Sequence, residues 1–177
     1  MHPISFGNHP HKWATLYFTP MSFETAGEIT VDVARVDAFG FVQDPQRLAA
    51  CIPGCRDLTE LSSARYSAVL TSRVAFMTLS FKAVVEVTRI EPPTTIDATV
   101  AGDAIGLPGH IVATARVELR EAGERRTIIR YVADVGLTGK LGGLGEPVFR
   151  ATSARLAREF GANLKQAIEN GRVETPA

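Results

Sequence analysis

The chain is short of nearly every residue from which a chemical site is usually built. Its 177 residues include two cysteines, Cys51 and Cys55, too few for a disulfide framework. Their spacing would suit half of a metal site. No second cysteine pair exists, however, and three of the four histidines lie within the first 11 residues, leaving His110 alone in the body of the chain. The two thiols therefore read as small, semi-buried side chains at a helix end, and no metal is expected. Net charge is missing as well: 19 basic and 19 acidic residues cancel, so no overall field draws the chain to nucleic acid or an anionic membrane. No apolar run approaches the roughly 20 residues that span a bilayer. Lys140 is followed by Leu141 rather than Ser or Thr, no G-x-x-x-x-G precedes it, and the dinucleotide fingerprint is absent, which excludes both common phosphate cradles.

What is present is apolar material in regular patterns. A hydrophobic fraction of 45% and a mean hydropathy near zero describe one globular domain with a real core. Residues 1–20 stand apart, with three histidines, no periodicity and no signal-peptide pattern. They read as a disordered leader or a mis-assigned start ahead of Met21, leaving one domain over 21–171 and a polar tail over 172–177.

From Phe23, alternation of Phe23, Thr25, Gly27, Ile29, Val31 and Val33 with polar residues predicts a half-buried strand. A short helix follows at about 35–42, then strands at about 56–61, 65–74, 77–90, 94–104, 110–120 and 126–136, joined by short turns as an antiparallel meander. The last element is a helix from about Glu146 to Asn170, ended by Gly171. Its stripe of Leu144, Val148, Thr152, Leu156, Phe160, Leu164 and Ile168 is broadly amphipathic, and its length of about 37 Å can cross a seven-stranded sheet. The fold class is α+β, with two short helices after the first strand and a curved sheet wrapped around a long C-terminal helix.

The most informative stretch is Asp44-Pro45-Gln46-Arg47-Leu48-Ala49-Ala50-Cys51-Ile52-Pro53-Gly54-Cys55. Asp44 can cap a helix that Pro45 begins, and Pro53-Gly54 ends it. With the preceding Phe39-Gly40-Phe41-Val42-Gln43, and with Tyr131-Val-Ala-Asp-Val-Gly-Leu-Thr-Gly-Lys-Leu-Gly-Gly-Leu-Gly145 near the end, it resembles the CoxG family of the carbon monoxide dehydrogenase gene cluster. That family lies in the START-like (SRPBCC, Bet v 1-like, helix-grip) superfamily. The resemblance runs from about Ser22 to about Ala167. It implies a non-enzymatic carrier that holds an isoprenoid quinone such as menaquinone or ubiquinone, with no tightly bound cofactor. It also implies partnership with a molybdenum hydroxylase of the carbon monoxide dehydrogenase type, serving quinone transfer, membrane recruitment or maturation. The implied location is the cytoplasm, extending at most to the inner face of the cytoplasmic membrane. Many members carry a further membrane-binding tail. Here Asn170 to Ala177 is short and polar, so only transient contact is expected, through Leu137, Leu141, Leu144 and Ile52.

Small inward residues, Gly27, Ala83, Ala98, Ala113, Ala115 and Ala133 with Ala151 and Thr152 on the helix, favour a residual apolar cavity. The expected ligand-binding lining from the sheet is Leu79, Phe81, Ala98, Ile111, Ala113 and Tyr131. From the last helix and the glycine-rich segment before it come Leu141, Leu144, Val148, Thr152 and Leu156. Phe39, Leu48, Ile52 and Pro53 cover the mouth, and the glycine-rich segment is expected to act as a mobile apolar gate. The rival reading is a START-like cyclase, dehydratase or hydrolase using Tyr131, Arg73, Asp97 or His110. Arg73 is expected to face solvent and pair with Glu86. A third reading, a protein-binding chaperone, would need an exposed patch around Phe41, Ile128 and Val132.

Overall fold

The structure, a computed structural model, describes residues 21–173; the expected leader and the end of the expected tail fall outside them. The chain runs β1 (Met21–Val31), α1 (Arg35–Val42), α2 (Pro45–Cys51), β2 (Cys55–Ser62), β3 (Arg65–Val74), β4 (Met77–Glu91), β5 (Thr95–Ala104), β6 (Gly109–Gly123), β7 (Arg126–Gly139), a short 3-10 turn (Lys140–Leu144) and α3 (Glu146–Val173). Seven strands form one antiparallel sheet in the order β1-β7-β6-β5-β4-β3-β2. Each strand from β2 onward pairs with the next, as two-residue periodicity and short turns dictate. Only β1 breaks the sequence: α1 and α2 carry the chain away from it to the opposite edge, and β7 returns beside it. This is the expected helix-grip arrangement.

Local chemistry explains the helix ends. Asp44 accepts from the backbone N–H groups of Gln46 and Arg47 at 3.0 and 3.3 Å, which satisfies otherwise free donors at the start of α2. Gly54 ends the turn after α2 at φ +77, and a Cβ there would lie 1.9 Å from the Thr71 carbonyl oxygen. Only glycine lets the chain pass this close to β3.

Two differences from the sequence expectation have physical causes. α3 continues through Gly171 to Val173, because one glycine costs a helix about 1 kcal/mol without removing a donor, and Ile168 anchors the final turns in the core. The glycine-rich segment is not a loose gate. β7 extends to Gly139, and the following turn drives Leu141 into complete burial, against Gly109, whose added Cβ would lie 2.5 Å from Leu141 Cγ.

α3 lies along β1 and touches β3, while standing off the central strands β4, β5 and β6. Tyr131 on β7 sets that position. Its hydroxyl donates to the Ala157 carbonyl at 2.8 Å, and its ring meets Phe160 edge-on at 4.9 Å between centroids. Gly27 on β1 and Gly161 on α3 flank it, and a Cβ on either would come within 2.3 Å of the Tyr131 hydroxyl oxygen. Gly27 is therefore small to admit a ring, not to enlarge a cavity.

Gly161→Ala is expected to destabilise the fold by about 1–3 kcal/mol through overpacking, despite alanine's better helix propensity. Most of that loss should vanish in a Tyr131→Phe background, where the obstructing oxygen is gone. Gly27→Ala should remain harmful in both backgrounds, because ring carbons also lie at 2.4 Å. Urea denaturation of the single and double variants measures the difference.

Candidate functional site

The buried residues divide into two clusters at opposite ends of the sheet. One joins Val31, Ile96, Leu119 and Ile129 to α1, α2 and the C-terminal half of α3. The other joins Phe23, Leu79, Phe81, Leu137 and Leu141 to Phe149 near the start of α3. Between them the register aligns Ala98 with Ala115 and Ala115 with Ala133, and likewise Val85, Val100, Ala113 and Val135. All point to the concave face, yet all remain only half-buried. Apolar side chains that face inward without reaching burial mark a gap between helix and sheet, lined by methyl and isopropyl groups.

The concave face is free of charge. Counting Met21 to Val31 on β1, Tyr66 to Val74 on β3, Met77 to Val87 on β4, Ile96 to Ala104 on β5, Ile111 to Leu119 on β6 and Thr127 to Leu137 on β7, no inward position is Asp, Glu, Lys, Arg or His. Thr25 and Tyr131 spend their hydroxyls on α3 carbonyls, and Thr127 donates to the Val33 carbonyl at 2.8 Å. Burial pushes the Tyr131 phenol and the Cys51 and Cys55 thiols above their ordinary values, so these groups stay protonated at neutral pH.

The expected lining residues fall into three groups. Leu79, Phe81 and Leu141 are buried in one core cluster, with Ile111, Leu144 and Val148 packed against it. Phe39 is buried in the other cluster, with Leu48 packed on it. Ala98, Ala113, Tyr131, Thr152 and Leu156 are half-buried near the gap's walls, although the Thr152 hydroxyl donates to the Val148 carbonyl at 2.9 Å and Tyr131 is committed to α3. Pro53 is half-buried and Ile52 is exposed at the end of α2. Ala151 faces solvent and lines nothing. Leu137 and Leu141 are too deeply buried to touch a bilayer. The exposed apolar tips at that end of the sheet are Phe76 (84%) and Ile105 (54%), with Ile52 (36%) nearby.

The charged candidates lie outside the gap. Asp97 is on the convex face, held by Arg116 through two hydrogen bonds of 2.7 and 3.0 Å, with Arg89 at 3.9 Å. His110 Nδ1 meets Asp103 Oδ1 at 2.8 Å. Arg73 is exposed, but it stands opposite Thr78; Glu86 faces Arg65, so the expected Arg73–Glu86 pair does not form. The register differs from that guess because the β3–β4 turn is only two residues long. Phe41, Ile128 and Val132 are half-buried, and Arg47 covers the Phe41 ring at 5.7 Å. They form no open patch.

Three contributors escaped the sequence reading. Val100 continues the alternation of β5, and Ser72 is in phase with Leu70 and Val74, so both were recoverable. Arg155, which donates to the Arg73 carbonyl at 3.1 Å and pairs with Glu159, gave no signal beyond its place on the polar face of α3. Among the described residues no group of three or more His, Cys, Asp or Glu could hold a metal ion, and no helix is long and apolar enough to cross a membrane.

The family described as carbon monoxide dehydrogenase CoxG matches residues 27–169. No curated protein matches the chain. Among solved structures, a conserved protein from Geobacillus kaustophilus is 24% identical with a TM-score of 0.75, over 84% of this chain and 97% of that one. The Zhui aromatase/cyclase from Streptomyces sp. R1128 is 15% identical with a TM-score of 0.58, over 88% and 98%. Norcoclaurine synthase from Thalictrum flavum is 12% identical with a TM-score of 0.58, over 89% and 97%. These likenesses establish the fold.

The outward placement of Asp97 can be checked by its titration. Arg116, bonded to it, holds its carboxyl below the ordinary carboxylate value against the opposing effect of burial. A depressed carboxyl stabilises the fold above its unfolded-state pKa and loses that contribution as pH falls through the folded value. Asp97→Asn should therefore lower Tm at neutral pH, with the difference from wild type shrinking as the solution is acidified. Ligand binding should be unchanged, as thermal melts and binding titrations of the two proteins would report.

Proposed function

The chain belongs to the CoxG family of carbon monoxide dehydrogenase, and on that premise we propose that it is a carrier of a hydrophobic small molecule rather than an enzyme. The observation that carries the reading is the uncharged, half-buried apolar face between the two core clusters. A hydrocarbon chain placed there gains about 0.8 kcal/mol per buried CH₂, and no inward charge opposes it. General acid–base chemistry needs a titratable group within reach of the substrate. Tyr131 is committed to the Ala157 carbonyl and the charged candidates point outward, which weighs against a cyclase, dehydratase or hydrolase. The family membership makes an isoprenoid quinone the leading ligand and a molybdenum hydroxylase of the carbon monoxide dehydrogenase type the leading partner.

Exchange of so apolar a ligand requires contact with a membrane or with the partner enzyme. Phe76, Ile105 and Ile52 offer apolar tips at one end of the sheet, suited to brief insertion at a bilayer surface. Phe76→Glu is expected to leave the melting temperature within a degree or two of wild type, because the side chain is exposed. It should slow quinone uptake from vesicles severalfold, measured by stopped-flow transfer from donor liposomes.

The direct test is native mass spectrometry of the purified protein, then organic extraction and an ultraviolet spectrum. A bound mass with a quinone spectrum is the expected result. An empty protein that also refuses added quinone would remove the reading. Ala113→Trp, which fills the gap, should abolish loading while retaining the far-ultraviolet circular dichroism of the wild type.

A further inference from the structure

The polar side chains of the concave face mostly have partners. Thr127 donates to the Val33 carbonyl, Thr25 to that of Ser153 and Tyr131 to that of Ala157. Ser72 on β3 differs: its hydroxyl oxygen is buried, and among the described residues it meets no hydrogen-bond partner. The other such side-chain atom, Arg35 Nε, belongs to a guanidinium engaged with Glu121 at the far end of the sheet. Ser72 pairs across the strands with Leu79, which is 1% exposed, so it faces inward. The neighbouring Thr71 faces the other way and shares a 2.8 Å hydrogen bond with the Ser80 hydroxyl. A partner is thus supplied on the convex face and withheld on the concave one.

A buried hydroxyl without a partner costs about 1–3 kcal/mol, and such groups in folded proteins call for an explanation. Position supplies one. The carbonyl of the next residue, Arg73, receives Arg155 from α3 at 3.1 Å, so Ser72 lies where the helix closes on β3. Across the sheet from it stand the aligned alanines Ala98, Ala115 and Ala133. The concave face therefore has a single unpaired polar point at one wall and an apolar gap leading away from it.

We propose that Ser72 hydrogen-bonds a carbonyl or hydroxyl oxygen at one end of the bound ligand, whose hydrocarbon tail lies in the gap toward β7. The ligand class is then an oxygen-headed amphiphile rather than a plain hydrocarbon. This rests on the carrier reading and deepens it by assigning the ligand's orientation and the residue that selects its headgroup.

The test compares wild type and Ser72→Ala with two probes of matched tail, decyl-1,4-benzoquinone and decylbenzene. Ser72→Ala should weaken quinone binding by about three- to tenfold, the range of one hydrogen bond, and leave decylbenzene binding unchanged. The infrared carbonyl stretch of the bound quinone should lie lower in wild type than in the variant. The ligand-free melting temperature should not fall, since alanine abandons no existing bond. Equal weakening for both probes, or a lowered ligand-free Tm, would assign Ser72 a packing role and overturn the proposal. Unchanged quinone affinity and carbonyl frequency would overturn it too, leaving the carrier reading intact. Failure of wild type to bind either probe would overturn both.

Discussion

Helix α3 is held at a distance from the sheet it covers, and Tyr131 sets that distance. The ring is wedged between two glycines, Gly27 and Gly161, with its hydroxyl on the Ala157 carbonyl. An aromatic spacer on β7 lets the helix seat along β1 while lifting it from β4, β5 and β6. Thr25 reinforces the same edge by donating to the Ser153 carbonyl, and Lys165 does so at the Thr30 carbonyl. Had position 131 been small, α3 could settle onto the central alanines and one continuous core would form. The division of the core into two clusters follows from this one contact.

A divided core has a cost. Half-buried apolar surface in the middle of a domain forgoes the dispersion contacts of close packing, and the two end clusters must supply the stability. They are built accordingly. Val31, Leu119, Ile129 and Leu164 at one end, and Leu79, Leu137 and Leu141 at the other, are essentially inaccessible. The short helices α1 and α2 complete the first cluster, which explains why a capped, apolar helix of only seven residues is retained between β1 and β2. Rigid ends with an unfilled middle suit the storage of a flexible guest.

Much of this was legible in the sequence because the strands are long and alternate cleanly. Ile111 to Leu119 and Leu79 to Val87 announce which side is apolar, and the register follows once the turns are short. Asp44-Pro45 and Pro53-Gly54 likewise state their helix ends. What could not be read was depth. Leu141 and Ala113 both count as inward apolar residues, yet one is sealed in a core and the other lies beside the gap. Two-residue periodicity gives a face, not a distance to the opposite wall. Tyr131 illustrates the limit: its phase showed that it points inward, but its partner lies 26 residues away on α3, beyond any local pattern. The Arg73–Glu86 guess failed for a related reason, since pairing across a hairpin depends on the turn's length and not on nearness in sequence.

The partition of charge bears most directly on function. Asp97, Arg116 and Arg89 form a cluster on the convex side, His110 meets Asp103 there, and the polar face of α3 carries its own Arg155–Glu159 and Lys165–Glu169 pairs. Individually such exposed pairs contribute little stability. Collectively they absorb the chain's ionisable residues on its outside and keep the inner face to hydrocarbon and a few hydroxyls. An ion brought into that interior would face a desolvation cost of several kcal/mol, whereas a neutral amphiphile would face almost none. The fold thus discriminates by charge before any specific contact is made, and the few inward hydroxyls discriminate among what remains.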